Sequence, residues 1–233
     1  MAVLRNASVC LALVLFLGCA GPDEPLTHND PDRYTLAANV PWSAPDGFGL
    51  SMDIYTPRSG QASYPVLVIF HGGGWLINDK SIMDQAAKYV ATNGKYVVCN
   101  VDYRLLGEQS NTVTLNEIVN DALGAVLWIK KNIAGYGGDP QRVALTGDSA
   151  GAHLAAAVVN LGPNLSSSGY SQGNLAFQPS YLPDGITAED VARDDGMAVQ
   201  AAVLSYGVFD LHGRAVSGFE SWKNPFWYVG GAL

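Results

Sequence analysis

The residues best suited to chemistry in this 233-residue chain lie in one short segment, Gly147-Asp148-Ser149-Ala150-Gly151. An apolar run, Val143 to Thr146, precedes it, and Leu154, Ala155, Val158 and Val159 follow at helical spacing. That order predicts a strand, a sharp turn and a helix. A serine at the apex of such a turn projects its hydroxyl above the sheet edge as a nucleophile. Gly147 and Gly151 flank it because a Cβ there would crowd the turn. The helix that follows points unpaired N–H groups toward negative charge forming nearby. The plain alternative is a Gly-rich turn with a passive serine.

A second segment supplies what a nucleophile of this kind needs. His71-Gly72-Gly73-Gly74-Trp75 follows the apolar run Val66 to Phe70. Acyl transfer builds charge on a carbonyl oxygen, and preorganised donors must meet that charge. Three successive glycines expose backbone N–H groups without steric cover, the pattern of an oxyanion-hole loop. Trp75 and the residues near it are expected to line the pocket.

The elements needed to position these segments can be read from periodicity. Tyr34 to Val40 and Leu50 to Tyr55 read as strands around a Pro45-Asp46-Gly47 turn, an antiparallel edge leading into a larger sheet. Runs within 66–70, 95–101, 143–145 and 198–204 are continuously apolar, as strands buried on both faces of a parallel sheet are. From Thr112 to Ala134 apolar residues recur with helical period, and Ser81 to Ala91 forms a weaker helix closed by Asn93-Gly94. Strands alternating with helices predict a three-layer α/β fold with a mostly parallel central sheet. Leu161 to Gly196, rich in Ser, Gly, Pro and Asn, breaks the rhythm. It is expected either to cover the site or to run over the surface as a solvated excursion.

Composition narrows the setting. The chain is 48% hydrophobic and 15% charged, as compact domains are, with a net charge of -8 that disfavours nucleic acid as a partner. Residues 1–18 carry one charge, Arg5, ahead of an apolar run from Val9 to Leu17, and read as an export signal. Their removal leaves 12 basic against 21 acidic residues, Arg5 being the one lost. Phe16-Leu17-Gly18-Cys19 resembles a lipobox, which implies lipidation of Cys19 and membrane attachment. The alternative is a cleaved signal with an incidental cysteine. Residues 19–33 then form a polar tether, and 34–233 the catalytic domain. Cys99, in an apolar run, reads as a buried small hydrophobe rather than a reactive thiol. No Cys/His spacing suits zinc, and the Gly-rich loop lacks the Lys-Ser/Thr of a phosphate loop, so neither metal nor cofactor is expected.

Taken together, the motifs resemble those of the α/β-hydrolase superfamily, in particular hormone-sensitive-lipase-type carboxylesterases and the related feruloyl- and acetyl-esterase-like proteins. The matching residues are His71 to Trp75, Asp102-Tyr103-Arg104-Leu105, Gly138-Asp139-Pro140, Gly147 to Gly151 with His153-Leu154, Tyr206-Gly207 and Asp210-Leu211. The resemblance spans roughly residues 48–233. It implies hydrolysis of short acyl esters through an acyl-enzyme at Ser149. It further implies an oxyanion hole made by the N–H groups of Gly73, Gly74 and Ala150. His71 would orient the loop, and Asp148, Asp102 and Asp210 would have structural or supporting roles.

Ser149 also needs a base, normally a His oriented by a carboxylate that precedes it in the chain. Two histidines follow Ser149. His153 is tied one turn along the nucleophile helix, and His212 follows its strand with no acid before it. Of the 84 residues after Ser149, the segment 161–196 takes 36, leaving space for one more strand. The expectation is a hydrolase whose acid and His lie beyond this sequence. The competing expectation is an inactive hydrolase fold that binds a ligand or partner.

Overall fold

A computed structural model describes residues 33–169 and 176–211. The leader, most of the tether, Cys19 and His212 lie outside the described residues, as does the stretch after Leu211.

Among the described residues six strands form one sheet: β1 (Tyr34–Ser43), β2 (Leu50–Pro57), β3 (Tyr64–Phe70), β4 (Val97–Val101), β5 (Gly138–Asp148) and β6 (Ala201–Ser205). Their order is β1-β2-β4-β3-β5-β6. β1 and β2 are antiparallel to each other and β2 to β4, whereas β4, β3, β5 and β6 run parallel. The antiparallel edge and the parallel block therefore lie where the apolar pattern placed them.

Alternation along each strand sends side chains to opposite faces, and the two faces are covered unequally. On one face Val66, Val68, Phe70, Val97, Cys99 and Leu145 pack against α2 (Leu115–Asn132) and α3 (Ala150–Leu161). On the other, Ile69, Val98 and Tyr55 meet Ala87 and Ala91 of the short α1 region, with α1 itself spanning Asp84–Tyr89. The result is the three-layer arrangement expected. Cys99 is fully buried, and burial pushes its thiol far above the ordinary range, so it stays protonated.

Each helix has a local cause. α2 starts at a capping box, in which Thr114 accepts from the Glu117 N–H and the Glu117 carboxylate accepts from the Thr114 N–H at 2.7 Å. Its buried face carries Ile118, Val119, Ala122, Leu123, Val126 and Ile129. The weaker helix begins with a 3₁₀ turn, Lys80–Met83, capped by Asp79. It ends in a wide turn, Val90–Gly94, followed by Lys95 at φ 56°.

The described residues of the segment 161–196 are packed against the domain and make no hydrogen bond to the Ser149 turn. α3 starts beside the nucleophile turn and runs away from it, so the crossover to β6 leaves and returns at the opposite edge of the sheet. Leu165, Phe177, Ala188, Val191 and Met197 are buried, and a short helix α4 (Ala188–Arg193) is held by its own capping box from Thr187. None of its described hydrogen bonds reaches residues 71–75 or 148–153. β6 differs from the inner strands among the described residues. Ala201 to Leu204 are exposed, Val203 by 64%. β6 is the edge strand among the described residues, with β5 on one side and α3 against it.

The returning segment is pinned by a buried ion pair. Arg104 Nε and Nη2 donate to the two Asp121 oxygens at 2.8 and 2.9 Å, and Ser180 Oγ donates to the same carboxylate. The Ser180 N–H donates to the Asn120 carbonyl at 3.0 Å, and Ser43 Oγ donates to the Ser180 carbonyl at 2.6 Å. This close approach explains Gly124 in mid-helix. A Cβ there would lie 2.7 Å from the Tyr181 nitrogen. Alanine normally gains about 0.5–1 kcal/mol over glycine inside a helix. Gly124→Ala is expected to destabilise instead, by about 1–3 kcal/mol, the range for overpacking. Urea denaturation checks the sign, and a gain in stability would mean that residues 180–181 do not press on α2.

Candidate active site

The site starts from strand register. Phe70, the last residue of β3, is paired with Gly147 near the end of β5. The loop after β3 and the turn after β5 therefore leave the sheet side by side.

Ser149 occupies that turn at φ 50°, ψ −114°, a conformation in which a side-chain residue is strained. Its N–H donates to the Ser205 carbonyl at the end of β6 at 2.9 Å, and its carbonyl accepts from the His153 N–H at 3.2 Å. The flanking glycines are required by contact. A Cβ on Gly147 would lie 2.6 Å from the Gly151 oxygen and 2.7 Å from the Phe70 oxygen. A Cβ on Gly151 would collide with the Phe70 carbonyl and lie 2.7 Å from the His71 oxygen.

The facing loop is equally constrained. Gly73 sits at φ 133° and Gly74 at φ 61°, and their N–H groups have no acceptor among the described residues. A Cβ on Gly73 would strike the Ile77 carbonyl. The turn closes internally, with the Leu76 and Ile77 N–H groups donating to the Gly73 carbonyl at 3.1 Å. Ala150, the first residue of α3, has by position no intrahelical acceptor for its N–H. Donors from two separate segments thus face the same edge as Ser149.

Supporting residues fix the loop. His71 is buried, and its Nδ1 and the Gly72 carbonyl are 2.9 Å apart. Its ring stacks on Tyr103 at 4.3 Å, and the Tyr103 hydroxyl donates to the His71 carbonyl at 2.6 Å. Burial lowers the His71 pKa, the Gly72 hydrogen bond and neighbouring carboxylates opposing that shift. The Asp102 carboxylate is consumed by Lys80, accepting from its N–H at 2.7 Å and from Nζ at 2.9 Å. Asp102 thereby anchors the exit of the loop.

Asp148 Oδ2 accepts from the Tyr206 hydroxyl at 3.1 Å, and the carboxylate abuts Gly72, where a Cβ would lie 2.8 Å from the Asp148 Cγ. Tyr206 takes φ 43°, strained as Ser149 is. Trp75 departs from expectation. Its indole is 2% exposed, within the core beneath the loop, and meets His153 edge to face at 5.2 Å. His153 Nδ1 is buried without a partner among the described residues, and burial lowers its pKa to about 4. Its ring is held toward the neutral form and packs on Trp75.

The supporting contacts of Tyr103 and Tyr206 were not legible from spacing. Both stand in the segments of resemblance, but their partners, 32 and 58 residues away, emerge only from the fold. Among the described residues no group of three His, Cys, Asp or Glu could hold a metal ion, and no helix is long and apolar enough to cross a membrane.

The family model BD-FAE matches residues 52–222. The chain belongs to the BD-FAE family. Carboxylesterase NlhH of Mycobacterium tuberculosis is 35% identical over 108 residues, 46% of this chain and 33% of that protein. Esterase LipQ of the same species is 33% identical over 147 residues, 63% of this chain and 29% of LipQ. The matches thus span about a third of these curated relatives. Among solved structures, a Pyrobaculum calidifontis esterase is 26% identical with a TM-score of 0.57, covering 80% of this chain and 48% of the other. Thermogutta terrifontis esterase 2 phosphorylated by paraoxon, at 23% identity and the same TM-score, covers 77% and 59%. The fold of this BD-FAE domain is that of the α/β-hydrolases.

The strain at Ser149 predicts a trade between stability and activity. Ser149→Gly removes the side chain that disfavours φ 50°, and is expected to stabilise the domain by about 1 kcal/mol, the lower end for one strained residue. Ser149→Ala keeps its Cβ and should not. A thermal midpoint for Ser149→Gly no higher than that of Ser149→Ala would contradict the strain.

Proposed function

We propose that this protein is a carboxylic-ester hydrolase in which Ser149 is the nucleophile. One observation carries the reading. A serine held at φ 50°, ψ −114° sits at the end of β5 beside a loop in which the Gly73 and Gly74 N–H groups have no acceptor among the described residues. Ser149 Oγ attacks the ester carbonyl carbon, and its proton passes to a base. The carbonyl oxygen becomes an oxyanion received by the N–H groups of Gly73, Gly74 and Ala150. The C–O bond breaks, the alcohol leaves with a proton, and water then hydrolyses the acyl-enzyme. Short acyl esters are the proposed substrates, in line with the esterase relatives.

The base and its orienting acid are proposed to come from outside the described residues. His71 is bonded into the loop and His153 is packed on Trp75. That same observation favours a second reading, an inactive hydrolase fold that binds a ligand. Hydrolysis of short-chain nitrophenyl esters by the whole protein decides between them. Ser149→Ala is expected to lower kcat by at least about 10³-fold, as removal of a catalytic serine does. Turnover surviving the substitution would remove Ser149 as nucleophile, and absence of turnover in the unaltered whole protein would leave the binding reading.

Export with lipidation at Cys19 is also proposed, resting on the sequence of the leader. Labelled fatty acid fed to the producing cells should enter the protein and fail to enter its Cys19→Ala variant. Equal labelling of the two would reject the anchor.

A further inference from the structure

The proposed oxyanion hole draws donors from two segments, residues 73–74 and residue 150. Its usefulness depends on the gap between them, since a misplacement of about 1 Å costs on the order of 10²-fold in rate. Among the described residues no hydrogen bond joins residues 71–78 to 148–153. The loop bonds elsewhere, to β4 and its extension. Tyr103 holds the His71 carbonyl, Asp102 holds Lys80, and the Leu106 N–H donates to the Trp75 carbonyl at 2.8 Å. Against the nucleophile turn it rests on packing alone, at Gly72 on Asp148, at Gly151 on Phe70 and His71, and at Trp75 on His153.

The last contact differs from the others. Gly72 and Gly151 fix the root of the loop, next to the strands. Trp75 lies beyond the two donor glycines, at φ 60°, where a bulky residue is strained. Such a conformation persists only when its surroundings hold it. The indole is almost fully buried, and the ring set against it edge to face is His153, in the first turn of α3. Aromatic pairs in this geometry contribute beyond their buried area.

We propose that His153 is a positioning residue, whose ring holds Trp75 and thereby sets the distance between the Gly73–Gly74 donors and the Ala150 donor. This rests on the reading of Ser149 as nucleophile. The role requires an aromatic ring and no proton transfer. It accounts for a histidine four residues from the nucleophile whose Nδ1 is enclosed without a partner.

The test uses the whole protein and its His153→Ala, His153→Phe and Ser149→Ala variants. With nitrophenyl esters, His153→Ala is expected to lose 10–100-fold in kcat with KM within about twofold, because the donors act on the transition state rather than on the bound ester. His153→Phe should recover kcat to within about threefold of the unaltered protein. Phenylalanine cannot accept a proton, so a His153→Phe variant as inactive as Ser149→Ala would overturn the proposal and make His153 a base. Full kcat in His153→Ala would overturn it as well.

A second readout does not depend on turnover. The Trp75 emission, obtained by difference from Trp75→Phe, should shift to longer wavelength in His153→Ala and return in His153→Phe, with both variants folded by circular dichroism. An unshifted emission would refute the packing role. Activity persisting in Ser149→Ala would instead defeat the nucleophile reading, whatever the emission shows.

Discussion

A serine does not rest at φ 50° and ψ −114° by preference, and the surrounding structure can be understood as what forces it there. The cost is of the order of 1–3 kcal/mol. It is met by close backbone contact that only glycine permits. Gly151 lies against the carbonyls of Phe70 and His71, and Gly147 lies against Gly151 and Phe70. The start of α3 is thereby pressed onto the end of β3. Three strand ends meet at the turn: β5 carries it, β3 bounds it, and β6 accepts the Ser149 N–H through Ser205.

Topology determines why these ends meet. From β3 the chain crosses to β4 on one side, with α1 against one face. From β4 it crosses back over β3 to β5, with α2 against the opposite face. The order reverses at β3, so the chain leaves β3 toward one face and leaves β5 toward the other, both at the carboxyl ends of the strands. Open α/β sheets bind ligands at such switch points. Gly73, Gly74 and Ser149 lie at that switch point, and the described hydrogen bonds of the long segment before β6 reach none of them.

Periodicity made the sheet legible because burial on both faces leaves continuous apolar runs, as in Val66 to Phe70 and Val97 to Val101. The turn at Ser149 was legible for a different reason. Its backbone demands glycine at two fixed positions, and that demand is written in sequence. What escaped reading shares one property, dependence on partners distant in the chain. Trp75 read as a pocket wall, because nothing local says that His153 covers it. Ser180 gave no hint of Asp121, or Tyr206 of Asp148. α4 was hidden in a Ser- and Gly-rich stretch because six residues are too few to show a period, although Thr187 and Asp190 carry its capping box.

The electrostatics of the site follow from the same packing. The oxyanion proposed beside Ser149 would need positive potential, and among the described residues the candidates to supply it are backbone N–H groups rather than a formal cation. Burial holds His71 and His153 on the neutral side, so both act as rings within the scaffold. Asp148 works against the oxyanion, as a carboxylate next to the nucleophile with Oδ1 buried and unpaired among the described residues. Its hydrogen bond from Tyr206 draws part of that charge toward β6. What remains favourable is the set of backbone N–H groups and the N-terminus of α3, which are fixed dipoles that need no reorganisation when charge develops. Dipoles act only at short range and in correct alignment, which is why so much of this structure is spent on holding two short turns at a set separation.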